Sequence, residues 1–311
     1  MTPRSKTLQY YRRAKIEDTI FNVVNITLLL MLLVVTVYPF WNTIAISFND
    51  AIDTVRGGIT LWPRIFTLTN YKAVFSTGAI PNAFFISVMR TFLSTVMGVF
   101  LTAMLAFALG RREFVLRKVF TFVVVISMYV QAGLIPQYFL FRSLGLVNNF
   151  WVYVIPTLMS AFNFIVIRTY ISTIPDSLVE SARIDGAGDF RIFMQIILPL
   201  ITPVLATIAL FIAVGAWNQW FDTLIYCSGK VELHTLQYKL MEYLSASQTQ
   251  GKTAADVGAM GMAGGGAASN MVTPVSMRAA ITVVAAVPIL FVYPFLQRHF
   301  VTGLNVGGVK E

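Results

Sequence analysis

Few residues in this chain have the types and spacing that chemistry requires, and most of them sit inside or beside long apolar runs. Arg90 interrupts the run 82–109 eight residues in, about 12 Å along a helix that starts near Asn82. A charge at that depth costs roughly 2.5 to 3.5 kcal/mol on insertion scales. Three fates are open to it: snorkelling or pairing within the protein, lining an aqueous cavity, or meeting an anionic ligand. Gln131, Asn163, Asn218 and Gln219 carry paired amide donors and acceptors, and Trp217 and Trp220 offer flat apolar faces for stacking. Each of these also serves commonly to join helices or to mark the membrane interface. Between two apolar stretches lies a polar interruption: Glu180-Ser181-Ala182, three residues, Gly186, nine residues, then Ile196-Ile197-Leu198-Pro199.

Other chemistries are poorly supplied. Cys227 is the single cysteine, so no intramolecular disulfide is possible, and His234 and His299 have no Cys, His or carboxylate at ligand spacing. Ala246-x4-Gly251-Lys252-Thr253 fits a relaxed phosphate-binding loop, but no strand pattern precedes it, so nucleotide binding is not expected there. The formal net charge is +9, yet Lys and Arg sit at the ends of apolar runs and form no basic stripe, which argues against a nucleic-acid partner.

The elements that must position these residues are membrane spans. Hydrophobic residues make up 57% and charged residues 12% of the 311-residue chain, more apolar surface than one soluble core hides. A span needs roughly 20 apolar residues to cross about 30 Å. Six runs qualify, near 20–46, 82–109, 119–140, 149–170, 197–221 and 276–297. Arg4, Lys6, Arg12, Arg13 and Lys15 precede the first, which lacks a small-residue cleavage pattern and reads as a retained span. Arg111, Arg112, Arg117 and Lys118, then Arg183 and Arg191, then Arg298 and Lys310 mark alternate connections, so both termini are expected in the cytosol. The layout is a tail over 1–19, a six-helix domain over 20–300 and a tail over 301–311. A cytosolic loop covers 171–196 and an extracytoplasmic loop 222–275. Trp41 and Trp62 fit an interfacial belt.

Local signals refine this layout. Pro136 and the restricted residue before it predict a break in the third span at Gln131-Ala132-Gly133-Leu134-Ile135-Pro136, either lining a cavity or forming an ordinary kink. Pro175 suits a first helical turn, and Ser177 with Glu180 has capping-box spacing. Leu178, Ser181, Ala182 and Asp185 then share one helix face with small side chains for a partner, and Gly186 and Gly188 turn the chain back. In the loop 222–275, Leu236, Leu240, Tyr243 and Leu244 predict an amphipathic helix against the bilayer or a partner.

The Glu180-to-Pro199 segment resembles the EAA loop of bacterial ATP-binding-cassette importer permeases, with Ser181 where the second position is usually Ala. The resemblance extends to Leu61-Trp62-Pro63, Asn70-Tyr71, Gly133-Leu134-Ile135-Pro136, Ile184-Asp185-Gly186-Ala187, Trp217-Asn218, Tyr293-Pro294-Phe295-Leu296-Gln297, and Gly303-Leu304 to Gly308-Val309-Lys310. It is closest to the carbohydrate-uptake branch and to its polysaccharide permeases. The resemblance implies an all-α polytopic membrane protein with the type I (MetI-like) permease fold in a bacterial cell (inner) membrane. It also implies a second homologous permease, two ATP-binding subunits that hold ATP and Mg, an extracytoplasmic solute-binding protein and an oligosaccharide substrate. This chain would hold no cofactor and hydrolyse nothing itself. Glu180, Ser181, Ala182, Asp185 and Gly186 would couple it to the ATPase, and the C-terminal segment Gly303 to Lys310 would also reach the ATPases. The substrate pathway would draw on Arg90, Gln131, Asn163, Trp217, Asn218 and Gln219. A permease for peptides or glycerol phosphate is the alternative. A secondary transporter fits less well, because Asp and Glu are nearly absent from the spans.

Overall fold

A chain in hydrocarbon must satisfy its backbone N–H and C=O groups internally, and helices do so locally. The computed structural model describes residues 3–76, 78–111, 113–130, 132–249 and 272–305, with side chains described within 18–245 and 272–291. Among these, no strand occurs beyond one isolated bridge between Asn49 and Phe66. The chain divides into two compact units, residues 1–72 with 251–283, and 73–250 with 284–311.

In the first unit, α1 (Pro3–Ser47) carries an apolar stretch, Asp18–Ser47, long enough to cross a membrane. The connection after it is tightly hydrogen-bonded. The Asp50 carboxylate caps α2 (Ala51–Val55) by accepting from the Ile52 and Asp53 amides, and Asp53 accepts from Arg64 and Asn49, each at 3.0 Å. The Trp41 indole N–H donates to Leu61 O at 2.8 Å, and the Trp62 ring stands edge-on to Trp41 at 5.7 Å, so the two expected belt residues are one cluster.

A short helix, α3 (Thr69–Ser76), begins in the first unit and ends in the second, which is organised on α4 (Ala79–Gly110). After it come α5 (Arg117–Ile126), α6 (Leu134–Ser143), two 3₁₀ turns over Phe150–Tyr153 and Ile155–Thr157, and α7 (Ala161–Ile171). Next are α8 (Asp176–Ile184), α9 (Asp189–Ile192), a π turn (Phe193–Ile197), α10 (Leu198–Leu200) and α11 (Thr202–Asn218). The series ends with α12 (Phe221–Tyr226) and α13 (Leu236–Thr249), while α14 (Pro274–Asn305) begins in the first unit and ends in the second.

Three of the described helices are long and apolar enough to span a membrane: the Asp18–Ser47 stretch of α1, α4, and Pro274–Phe291 of α14. Two bent helix pairs, 150–157 with 161–171 at 43° and 189–200 with 202–218 at 82°, are long and apolar enough to form a broken span or a re-entrant loop. The bends have local causes. Pro199 and Pro203 withhold two N–H groups around Ile201, and residues 193–197 loosen into a π turn whose last bond runs from Leu198 N–H to Phe193 O.

The third expected span, 119–140, is divided into α5 and α6, and the cause differs from the one expected. Ile135 and Pro136 lie in the first turn of α6, where a missing N–H costs nothing; the turn is made by Gly133 at φ +82°, left-handed backbone that glycine adopts without strain. In the loop 222–275, the expected amphipathic helix forms as α13, but Leu236 is fully buried against the chain itself instead of facing a bilayer. The phosphate-loop-like residues 250–253, the glycine-rich 258–266 and the tail 306–311 lie outside the described residues.

One stripe of α4 recurs every three or four residues: Ala83, Ser87, Arg90, Ser94, Gly98, Thr102 and Ala106 are all buried. Small residues at this spacing let helices approach closely, and hydroxyls at the same positions supply bonds that lipid cannot. At Gly98, a Cβ would stand 3.3 Å from Ile212 Cδ1 and 3.5 Å from Thr157 O. Ile212 can shift its end, whereas the carbonyl cannot. Gly98→Ala is therefore expected to insert and assemble like the parent, and Gly98→Leu to lose about 1 to 3 kcal/mol or more through overpacking. Thermal unfolding in detergent reads the difference.

Candidate functional site

Two places concentrate functional side chains, one at α8 and one where α11 breaks into α12. At α8, Pro175 occupies the N-cap and contributes no side-chain bond, while Ser177 lies inside the first turn. The expected capping box is thus not used, because the helix starts one residue before Ser177. The C-terminus is closed more firmly. Ala187 N–H donates to Ala182 O and Gly186 N–H to Arg183 O, both at 2.9 Å, with Gly186 at φ +80°. This is the Schellman arrangement, in which one left-handed residue satisfies two orphan carbonyls. Nothing lies within 4 Å of a Cβ on Gly186, so its backbone angle, not crowding, demands glycine. Gly188 sits at φ −72° and makes no such demand.

Ala182 does not belong to the partner face that the spacing suggested. It is buried in a cluster with Phe107, Ile192, Phe193 and Ile197, and Ala187 packs against the same cluster. Its small size lets α8 sit on its own chain. The exposed face carries Leu178, Glu180, Ser181, Asp185 and Ile184, the last 87% exposed. The sequence marks Ile184 only as part of Ile184-Asp185-Gly186-Ala187, because a lone Ile in a polar segment resembles an inward residue; the burial of Ala182 assigns it outward.

Charge fixes α8 to the end of α4. Arg183 forms a two-toothed pair with Glu113 and donates to Asp189 Oδ1 at 3.2 Å, while Arg111 donates to the same Asp189 oxygen at 2.7 Å and stacks over Phe107. Hydrogen bonding from Arg183 holds the Glu113 carboxyl below its usual range, opposed by desolvation. The same bonds raise Arg183. These groups are largely solvent-exposed, so each bond alone is weak and the value lies in the network and its geometry. Beneath α8 lies a cavity of about 500 Å³ lined by Phe107, Arg168, Ile174, Val179 and Glu180 among others.

At the second place, Arg90 takes the first of its three open fates. It is 1% exposed, pairs with Asp222 through both guanidinium Nη atoms, donates to Gln219 O at 2.9 Å and lies 4.8 Å over the Tyr153 ring. The network continues outward from this pair. The Tyr153 hydroxyl donates to Leu233 O at 2.7 Å and meets the Thr223 hydroxyl at 3.1 Å, and Thr223 Oγ1 meets Thr235 Oγ1 at 3.0 Å. Leu236 N–H donates to Ser87 Oγ at 2.8 Å. Removing one member of such a buried pair costs about 3 to 5 kcal/mol, because the other charge is stranded.

The remaining pathway candidates are scattered. Asn218 and Gln219 are exposed at the break, and Asn218 Oδ1 accepts from Gln237 at 3.4 Å. Trp217 is buried, its indole N–H donating to Ala285 O at 3.1 Å and its ring edge-on to Phe84. Asn163 is buried on α7 next to Phe164, which clusters with Ala103, about 20 Å along α4 from Arg90. Gln131 lies outside the described residues.

The geometry finds counterparts among known proteins. The family model described as binding-protein-dependent transport system inner membrane component matches residues 98–306. The chain is 36% identical over 296 residues to the polygalacturonan/rhamnogalacturonan transport system permease protein YtcP of Bacillus subtilis, covering 94% of this chain and 99% of that one. It is 35% identical over 294 residues to protein LplC of the same organism, covering 94% and 95%. A chain from the crystal structure of a bacterial ABC transporter involved in import of the acidic polysaccharide alginate superposes with a TM-score of 0.80 at 27% identity, covering 91% of this chain and 98% of that one.

The lowered Glu113 pKa fixes the sign of a pH effect. A carboxylate depressed in the folded state stabilises it above the unfolded pKa, near 4, and that contribution is lost as pH falls through the folded value. Proteolysis of the 183–189 segment is expected to stay flat from about pH 8 to 5 and to rise below about pH 4. Arg183→Gln is expected to show the fast rate already at neutral pH.

Proposed function

Since the chain belongs to the family of binding-protein-dependent transport system inner membrane components, we propose that it is the permease subunit through which a bacterial importer takes up oligosaccharides or polysaccharide fragments. The chain is a binding-protein-dependent importer permease of type I fold. The saccharide assignment rests on what its relatives transport, polygalacturonan/rhamnogalacturonan for YtcP and the acidic polysaccharide alginate for the transporter in the structural match. Acidic polymers recur in both, so uronate-containing chains come first.

In this reading a second homologous permease completes the pathway, two ATP-binding subunits supply the hydrolysis with their own ATP and Mg, and a solute-binding protein delivers the sugar outside. Both termini and the 171–196 loop lie in the cytosol, and the 222–275 loop lies outside. The observation that carries the mechanism is the closed C-terminus of α8, with Gly186 at φ +80° and Ala182 buried behind it. The face of Leu178, Glu180, Ser181, Ile184 and Asp185 seats in the ATPase, Ile184 as its apolar anchor. ATP binding can bias the permease only if it favours one of two packings, and a knob that cannot bend on its own transmits that preference to the spans.

Reconstitution with the ATPase subunits and loaded binding protein tests this. The intact complex is expected to hydrolyse ATP faster with the loaded binding protein and to accumulate sugar. Gly186→Asp is expected to insert normally but to lose stimulated hydrolysis and uptake, because an L-residue at that angle costs roughly 1 to 2 kcal/mol and opens the turn. Normal stimulation in that variant contradicts the coupling role. Ile184→Asp, which leaves the backbone alone, is expected to weaken ATPase association by about tenfold or more, as removal of an apolar anchor does.

A further inference from the structure

We propose that the break between α11 and α12 is a charge-neutral subsite for sugar hydroxyls, held in register by the Arg90–Asp222 pair, so that Arg90 is a positioning residue and not a receptor for anions. The inference rests on the saccharide reading above. Its physical ground is the state of the guanidinium. One Nη atom is shared between Gln219 O and Asp222, the other is committed to Asp222, and the plane lies over Tyr153. The remaining Nε is buried without a partner, and the side chain is 2% exposed. A carboxylate of a passing uronate has no route to it. The charge that the sequence offers for acidic sugars is already neutralised by the chain itself.

The same bonds define what the break presents. Gln219 has left helical geometry, at φ −77° and ψ 121°, and its carbonyl, freed from α11, is taken by Arg90. Asp222 accepts from Thr223 N–H at 2.8 Å, so the pair holds the chain on both sides of Trp220. Irregular backbone at membrane depth persists only where protein or an aqueous cavity satisfies it. Here the protein takes the backbone carbonyl and leaves the Asn218 and Gln219 amides exposed, with Gln237 beside Asn218 and the Trp220 ring half-buried edge-on to Phe221. Amides that donate and accept next to an aromatic face suit hydroxyl-rich rings of either charge.

The test uses the transporter assembled with its partner subunits, trigalacturonate and galactotriose as probes, and hydrogen exchange over residues 215–226. Asp222→Asn and Arg90→Gln are each expected to speed exchange in that segment by about tenfold or more and to reduce uptake of both trimers by a common factor. If either single variant fails to insert, the double variant Arg90→Met with Asp222→Leu strands no charge and is expected to restore insertion, with the uptake ratio of the two trimers as in the parent. Selective loss of trigalacturonate uptake in Arg90→Gln or in the double variant overturns the proposal, as does unchanged exchange in Asp222→Asn. Failure of the parent to move either trimer while the exchange response appears overturns the saccharide reading and leaves the positioning pair standing.

Discussion

The turns before α7 and the break after α11 release backbone groups that hydrocarbon cannot satisfy, and side chains of one helix, α4, receive several of them. Along α4, Arg90 takes the carbonyl of Gln219 at the α11–α12 break, Ser94 donates to Tyr153 O and Thr102 donates to Leu158 O, each of the last two at 3.3 Å. Near its start, Ser87 accepts the amide of Leu236 and Asn82 donates to Glu232 O at 2.7 Å. Without these side chains the 3₁₀ turns before α7 and the break after α11 would leave polar groups bare at membrane depth. The alternation of small and polar residues serves both needs, close approach at Ala83, Gly98 and Ala106 and satisfaction at Ser87, Arg90, Ser94 and Thr102.

The same helix ends at α8. Arg111, at the C-cap of α4, shares Asp189 with Arg183, and Phe107 packs in the cluster that receives Ala182. A displacement of α8 therefore acts on α4 through two kinds of contact, an ionic one that fixes direction and an apolar one that resists separation. From there α4 reaches, about 30 Å along its axis, the residues that seat α12 and α13. Motion at one end of the chain thus has a rigid element leading to the other, which is the physical content of coupling in a transporter of this kind.

Much of this was legible in the residues. Apolar runs located the spanning stretches of α1 and α4 within a few residues, whereas the run 119–140 is divided into two short helices, and the Glu180-to-Pro199 spacing located both α8 and its glycine. The parts that were not legible share a cause: they depend on which residue of a distant element arrives opposite. Nothing local tells Arg90 that Asp222, far along the chain, will neutralise it, or tells Ala182 that its small size serves the interior. Pro136 read as a breaker because the rule for the preceding residue is strong, yet a proline in a first turn obeys a different rule and Gly133 does the turning. The α4 stripe was present at a regular spacing and could have been read from the hydroxyls and small residues alone.

The central claim is that α8 and the end of α4 move as one body. Spin labels at Ser181 and Ala108, both exposed, report the distance between them within one chain, and a label at Ser181 with one on the ATPase side of the second permease reports the distance across the assembly. Pulsed dipolar spectroscopy on the reconstituted importer, without nucleotide and with ATP held unhydrolysed, compares the two. The account predicts an unchanged distribution within the chain alongside a shifted one across the assembly. A distribution within the chain that shifts or broadens on ATP binding would contradict it.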